Sequence, residues 1–134
     1  MKFYVKEECS KDAFTSPEKV VESLKDLRKA DQESFWILGY NNQMKEIFRE
    51  CVSLGGVNNS IVDPKIVFKR LLVNGCSSFI AVHNHPAGSV KPSDPDVTIT
   101  RRLKMGSEWL DIKLLDHLII GDDGYFSFQE KGLI

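Results

Sequence analysis

Short apolar runs with the character of β-strands alternate with segments of helical periodicity along the chain. The strand pattern is clearest in Ser34–Tyr40 and Ser78–His83, where nearly every residue is apolar or small. Ser16-Pro17-Glu18 is a typical helix start, with a capping residue followed by proline, and Asp63-Pro64 opens a second helix. Helices interleaved with strands, with antiparallel hairpins at both ends, predict an α/β fold in which helices cover a mixed sheet.

The remaining elements follow from the same patterns. Val20, Leu24 and Leu27 form one apolar helical stripe after the first helix start. The other predicted segments are a strand Met44–Leu54 ending at Gly55-Gly56, a helix Ser93–Leu110, a strand Ile112–Gly121, and a turn at Asp122-Asp123-Gly124 into Tyr125–Phe128. A chain of 134 residues has room for one hydrophobic core. We therefore expect a single domain over residues 1–134.

Charge and cysteine content narrow the functional classes. Lys and Arg total 18 against 19 Asp and Glu, so a net charge of -1 predicts no strong nucleic-acid binding. No apolar run approaches the roughly 20 residues needed to cross a bilayer, and residues 1–8 show no signal-peptide core. Cys9, Cys51 and Cys76 are odd in number and lack a C-x-x-C spacing, which indicates free thiols. A cytoplasmic location away from membranes is expected, and the oligomeric state stays open.

The segment H-N-H-P-A-G-S-V-K-P-S-D-P-D carries the chemistry of this chain. His83 and His85 lie two residues apart where a strand ends, so both imidazoles point to the same side. Asp96 falls in the first turn of the next helix and can reach the two histidines. Two imidazoles and one carboxylate leave a fourth tetrahedral position open, as in catalytic zinc sites. The pattern therefore predicts one zinc ion per chain.

Each part of this pattern also has a purely structural interpretation. An H-x-H pair alone is a weak signal, and Ser93-x-x-Asp96 is close to a capping box. His117 fits a hydrogen-bonded histidine near the core, bonded to Asp116 or supporting a metal ligand rather than binding the metal. A zinc deaminase would need H-x-E and P-C-x-x-C, which the sequence lacks. The combination of H-x-H-P, seven residues, and S-x-x-D favours a metal site.

This combination resembles the JAMM signature of the JAB/MPN metalloproteases. The similarity is greater to the RadC-like branch, whose sequences carry H-N-H-P-x-G and P-S-x-x-D. It extends over Asp63–Arg70, Ile99–Lys104, Leu114–His117 and Glu130–Gly132. The resemblance implies a cytidine-deaminase-like fold, a three-layer αβα sandwich with a mixed sheet.

The resemblance also implies roles for individual residues. His83, His85 and Asp96 match the zinc ligands, and Ser93 matches the residue that binds the oxyanion. The family's general base is a glutamate on an upstream strand, and Glu50 before Gly55-Gly56 matches that position. The implied mechanism is hydrolysis of a peptide or isopeptide by a water that zinc activates and the glutamate deprotonates. We expect the Glu50 carboxylate to face the zinc ligands.

Alternation alone does not separate Glu50 from Glu46, because both fall on one face of the predicted strand; Glu46 is expected farther from the site. RadC-like proteins usually carry an N-terminal helix-hairpin-helix-like domain, which we do not expect in this chain. The resemblance to a family associated with DNA repair leaves an alternative function open: a DNA repair or recombination accessory, or a protein-binding module, with a structural or vestigial metal site. The presence of both Glu50 and Ser93 in the sequence favours the enzyme, because a structural metal site needs neither residue.

Overall fold

A computed structural model of the chain describes residues 16–54, 62–86, 88–122 and 124–134. Cys9 and the predicted Gly55-Gly56 turn lie outside these described residues. The helices are α1 (Pro17–Ser23), a 3₁₀ helix (Lys25–Lys29), α2 (Pro64–Val73) and α3 (Asp94–Leu110). The strands are β1 (Ser34–Tyr40), β2 (Glu46–Leu54), β3 (Ser78–Asn84), β4 (Lys113–Gly121) and β5 (Gly124–Ser127).

The five strands form one sheet in the order β2-β1-β3-β4-β5. β1 is antiparallel to both β2 and β3, and β4 is antiparallel to β5. β3 and β4 are parallel, because α3 carries the chain back across the sheet between them. The predicted mixed sheet is confirmed.

Alternating residues of the strands form separate cores on the two faces of the sheet. Trp36 and Leu38 pack with α1 and the 3₁₀ helix, whereas Ile37 packs with α2 and α3 on the opposite face. Side chains of successive strand residues point to opposite faces, so one strand serves both cores. The α/β fold with helices on both sides of the sheet, the three-layer αβα arrangement, is confirmed.

The helix starts lie where the capping pattern predicts them. Ser16, Asp63 and Ser93 cap α1, α2 and α3, and each accepts a hydrogen bond from a backbone N–H of the first turn. The first apolar stripe is divided between two elements, because α1 ends at Ser23 and Leu27 lies in the 3₁₀ helix. Both pieces still bury the stripe.

The second strand begins two residues later than predicted. Met44 has a φ of 62°, in the left-handed region, and lies in the turn between β1 and β2. Asn41 stabilises this turn by accepting hydrogen bonds from the backbone N–H groups of Gln43 and Lys45. The strand therefore starts at Glu46.

Three element ends meet at one edge of the sheet. Because β1 is antiparallel to β3, the start of β1 lies beside the end of β3, and Phe35 pairs with His83. α3 begins after the loop that follows β3, so its first turn faces the same edge. Within the described ranges, no helix has the length and apolar character needed to span a membrane.

Candidate metal centre

The end of β3 presents two imidazoles to one point. His83 is buried in the strand and His85 follows it directly after the strand ends. Their Nε2 atoms are 3.1 Å apart. The i, i+2 spacing in extended chain thus brings both rings together, as the sequence pattern predicts.

Asp96 completes the approach from the first turn of α3. Its Oδ1 is 2.9 Å from His83 Nε2, and its Oδ2 is 3.1 Å from His85 Nε2. A capping box fixes the carboxylate, since the Ser93 backbone N–H donates to Asp96 Oδ2 at 2.8 Å. The same bonds that start the helix therefore orient Asp96 toward the histidines.

Glu33 is the fourth member of the group, and the sequence reasoning missed it. It lies one residue before β1, two residues before Phe35, so the β1–β3 register places it beside His85. Its Oε1 is 3.9 Å from His83 Nε2. Within the described part of the chain, its Oε2 is buried and has no hydrogen-bond partner. A buried carboxylate oxygen without a partner is costly unless a cation or water satisfies it.

Ligand atoms of Glu33, His83, His85 and Asp96 lie within 4.8 Å of one another. Neutral imidazoles and carboxylates are ligands that zinc and other divalent metals accept. This group could therefore hold a metal ion.

A chain of hydrogen bonds fixes the proton on His83. The Thr100 hydroxyl donates to the Asp96 backbone carbonyl at 2.7 Å, so its oxygen accepts from His117 Nδ1–H at 2.6 Å. Burial, together with the nearby His83, holds the pKa of His117 well below its usual range, so this ring is neutral. Its Nε2 therefore accepts from His83 Nδ1–H at 2.9 Å.

The result at the centre is a set of lone pairs without protons. With one proton on each ring, as metal binding requires, His83 carries it on Nδ1, and His85 likewise donates Nδ1–H to the Ser89 carbonyl at 2.7 Å. Both Nε2 lone pairs and the Asp96 oxygens then face one another at 2.9 to 3.1 Å. These atoms repel unless a proton or a metal ion lies between them. Tetrahedral zinc with bonds of about 2.0 Å separates its ligands by about 3.3 Å, close to these spacings.

The pKa values of the group respond to the same contacts. Burial alone would raise the pKa of Asp96, but in the metal-free protein hydrogen bonds from His83 and His85, made when a proton lies on Nε2, lower it well below its usual range. The hydrogen bond to Asp96 raises the pKa of His85. Burial raises the pKa of Glu33, although His83 opposes this effect. Asp96 thus stays ionised near neutral pH, and Glu33 is made a better proton acceptor.

We expect metal affinity to increase with pH between about 5.5 and 8. In the metal-free protein the raised pKa of His85 lets a proton compete with the metal, and each displaced proton changes affinity by about tenfold per pH unit below that pKa. The free energy of unfolding of the metal-free protein changes with pH in the opposite direction. The contribution of protonated His85 is fully present below about pH 6.5, and it is lost as the pH rises through the raised pKa of His85. Zinc competition against a chelator across this range measures the first effect. A pH-independent affinity would contradict the proton competition.

Glu50 lies away from this group, and the prediction that its carboxylate faces the histidines is wrong. Glu50 pairs with Ile37 in β1, and Ile37 pairs with Ala81 in β3. Glu50 is therefore two strands and two residues from His83, about 10 Å across the sheet and about 7 Å along it. Its carboxylate instead forms a 3.2 Å ion pair with Arg70 of α2.

The other predicted residues have defined surroundings. The Glu46 carboxylate forms a buried ion pair with Arg49 of the same strand at 2.5 Å, so its charge is already paired within β2. Ser93 Oγ accepts from the Asp96 backbone N–H at 3.2 Å, which is the capping interpretation. That bond uses a lone pair and leaves the Ser93 O–H as a donor. His117 contacts a metal-ligand candidate through its ring, and Asp116 contacts its backbone N–H rather than the ring.

A cleft of about 440 Å³ opens beside the group. Glu33, His83, Ser93 and Asp96 lie in its wall. The rest of the lining includes apolar side chains with one arginine: Phe35, Val62, Pro95, Ile99 and Arg102. A cleft of this size, with polar groups converging at one end, is typical of a ligand or substrate site.

Comparison with known proteins identifies the family of this chain. Residues 14–133 match the family described as the RadC-like JAB domain. The chain belongs to the RadC-like JAB domain family. The matched region contains every residue of the candidate centre, from Glu33 to His117.

Bacterial relatives of this RadC-like domain are UPF0758 proteins. The one from Flavobacterium johnsoniae is 43% identical over 124 residues, which are 92% of this chain and 52% of the relative. The one from Pelobacter propionicus is 43% identical over 124 residues, 92% of this chain and 54% of the relative. The one from Caldanaerobacter subterraneus is 44% identical over 119 residues, 88% of this chain and 51% of the relative. The chain spans about half the length of these relatives.

Proposed function

We propose that this chain is a zinc-dependent hydrolase that cleaves an amide bond of a peptide or isopeptide, with Glu33 as its general base. The observation that supports this most is the unpartnered, buried Glu33 Oε2 beside two imidazole lone pairs and the Asp96 carboxylate. A purely structural metal site needs no free carboxylate beside it. The membership in the RadC-like JAB domain family agrees with the proposal.

His83, His85 and Asp96 would hold the zinc ion. Their atoms lie 2.9 to 3.1 Å apart, whereas Glu33 Oε1 is 3.9 Å from His83 Nε2. This wider spacing fits a carboxylate next to the metal better than a ligand on it. Three protein ligands and an open position are the usual arrangement of catalytic zinc. Zinc bound there supplies Lewis acidity, which acidifies water and polarises a carbonyl oxygen.

The side chains of this protein perform the proton transfers and the charge stabilisation. Glu33 accepts the proton from the attacking water and passes it to the leaving amine. The Ser93 O–H, free to donate, stabilises the negative charge that develops on the carbonyl oxygen. Thr100 and His117 keep the proton of His83 on Nδ1, so the Nε2 lone pair always faces the centre.

The cleft beside Ser93 would bind the substrate chain. Phe35, Val62 and Ile99 form an apolar wall, and Arg102 is exposed at the same cleft. An apolar wall with few polar groups accepts a side chain of moderate size next to the scissile bond. The proposed substrate is therefore an extended peptide segment.

A substrate screen tests the proposal. Zinc-loaded protein is incubated with a library of quenched fluorescent peptides and lysine isopeptides, and products are identified by mass spectrometry. We expect hydrolysis by the wild type and none above background by Glu33→Gln at equal zinc content. Equal cleavage by both proteins would show a contaminating protease and would contradict the proposal.

We also expect weak binding to duplex DNA, which separates the enzyme from a DNA-repair accessory function. The net charge is -1, so the attraction of lysines and arginines to DNA phosphates is balanced by the repulsion from acidic residues. Fluorescence anisotropy with a labelled duplex near physiological salt should give a Kd above about 10 μM. Submicromolar binding with a steep salt dependence would favour the accessory function instead.

A further inference from the structure

The residue between the two histidines has its own buried set of contacts. Asn84 is fully buried, and alternation along β3 directs its side chain to the face opposite His83 and His85. Its Oδ1 accepts hydrogen bonds from the Ser34 backbone N–H at 2.8 Å and from the Ser34 hydroxyl at 3.1 Å. Its Nδ2 donates to the Gln32 carbonyl at 3.0 Å and to the Leu27 carbonyl at 3.4 Å.

These contacts enclose Glu33. Gln32 precedes it and Ser34 follows it, and Asn84 bonds the backbone of both. Glu33 itself lies between the 3₁₀ helix and β1, in a segment outside both elements. The amide of Asn84 therefore makes hydrogen bonds to the backbone on both sides of Glu33, of the kind that a neighbouring strand makes within a sheet.

We propose that Asn84 is a positioning residue for Glu33: its amide holds the backbone on either side of Glu33 so that the carboxylate faces the metal ligands. The inference rests on the proposed function only in the role that it gives to Glu33. One strand then serves the site from both faces, with the metal ligands on one side and the support of the carboxylate on the other.

Only an amide satisfies all these partners. Asparagine offers an acceptor to Ser34 and two donors to carbonyl oxygens from one short, planar group. Aspartate would place a carboxylate against the carbonyls of Gln32 and Leu27, and alanine would remove the hydrogen bonds that Asn84 makes to the Ser34 backbone N–H and the Gln32 carbonyl. The backbone around Glu33 would then move, because buried unsatisfied groups seek new partners or water.

The test is a double-mutant cycle on zinc affinity. A carboxylate next to a bound metal typically changes the metal affinity 10- to 100-fold, which makes its displacement measurable. The zinc Kd is measured by chelator competition for four proteins: the wild type, Glu33→Gln, Asn84→Ala and the double variant. We expect Asn84→Ala to weaken zinc binding about tenfold when Glu33 is present, and less than twofold when it is combined with Glu33→Gln. An equal loss in both backgrounds would mean that Asn84 acts through the histidines beside it, and would overturn the proposal.

A second measurement needs neither metal nor substrate. Amide hydrogen exchange of the metal-free protein should show faster exchange at Ser34 in Asn84→Ala, by at least tenfold beyond the change in global stability. Val82→Ala is the matched control, because Val82 is buried on the same face of β3 and packs in the apolar core. It should leave the relative protection of Ser34 unchanged. If Asn84→Ala does not fold, Asn84→Ser carries both measurements. Unchanged protection of Ser34 would overturn the proposal even if the chain proves to be a zinc hydrolase, and increased exchange would support it even if no substrate is cleaved.

Discussion

Glu33→Gln, loaded to the same zinc content as the wild type, should lose about a hundredfold or more in hydrolytic rate. Glutamine keeps the shape of the side chain and can still form hydrogen bonds, but it cannot accept a proton. Removal of a general base typically lowers the rate about 10²- to 10⁴-fold. The buried position of Glu33, which raises its pKa, makes it a stronger base than an exposed glutamate. Steady-state cleavage of a substrate found in the screen, at equal zinc content, measures the loss.

Glu50→Gln is the matched control for this variant. Glu50 lies on β2 and pairs with Arg70, and its side chain is 35% exposed, so we expect a hydrolytic rate within about twofold of the wild type. The reverse result, a large loss with Glu50→Gln and a normal rate with Glu33→Gln, would restore Glu50 as the base and contradict the assignment made from the structure.

His83→Ala and His85→Ala should each lose bound zinc. Either change removes one of three proposed ligands, so the loss of affinity should exceed the 10- to 100-fold cost of disturbing a residue that only supports a ligand. We expect about one zinc per chain in the wild type and less than about a tenth of that in either variant after dialysis. Elemental analysis gives the content, and chelator competition gives the affinity.

His117→Ala provides the graded comparison. His117 accepts a hydrogen bond from His83 Nδ1–H. Its removal leaves the imidazole of His83 in place, but the proton of that ring can then lie on either nitrogen. The expected loss of zinc affinity is about 10- to 100-fold, smaller than that of either ligand variant. Full zinc content in a His83→Ala/His85→Ala double variant would disprove the site.

Most of the fold could be predicted from local patterns. Proline after a capping residue marked the starts of α1 and α2, and the apolar runs marked β1 and β3, because these signals depend only on neighbouring residues. The second strand was predicted to start at Met44, two residues too early, because a left-handed residue other than glycine leaves no clear mark in the sequence.

The site was predicted where its residues share one segment. His83, His85 and Asp96 lie within 14 residues, so strand alternation and a helix start were enough to bring them together. Glu33 comes from 50 residues earlier, and its place depends on the strand order, which a single sequence does not reveal. Had β1 been known to pair antiparallel with β3, the register Phe35–His83 would have placed Glu33 at the histidines instead of Glu50.

The proposed ligands of this centre lie on parts of the fold whose hydrogen bonds involve only protein groups. His83 belongs to β3, the middle strand of the sheet, which is hydrogen-bonded on both sides. Asp96 is held by the cap of α3 and His85 by the Ser89 carbonyl. A zinc finger folds only around its ion, whereas the hydrogen bonds that hold these side chains are all made within the protein. For a chain that binds zinc as proposed, depletion of the metal would therefore leave the fold intact, and a returning ion would restore the centre without a folding step.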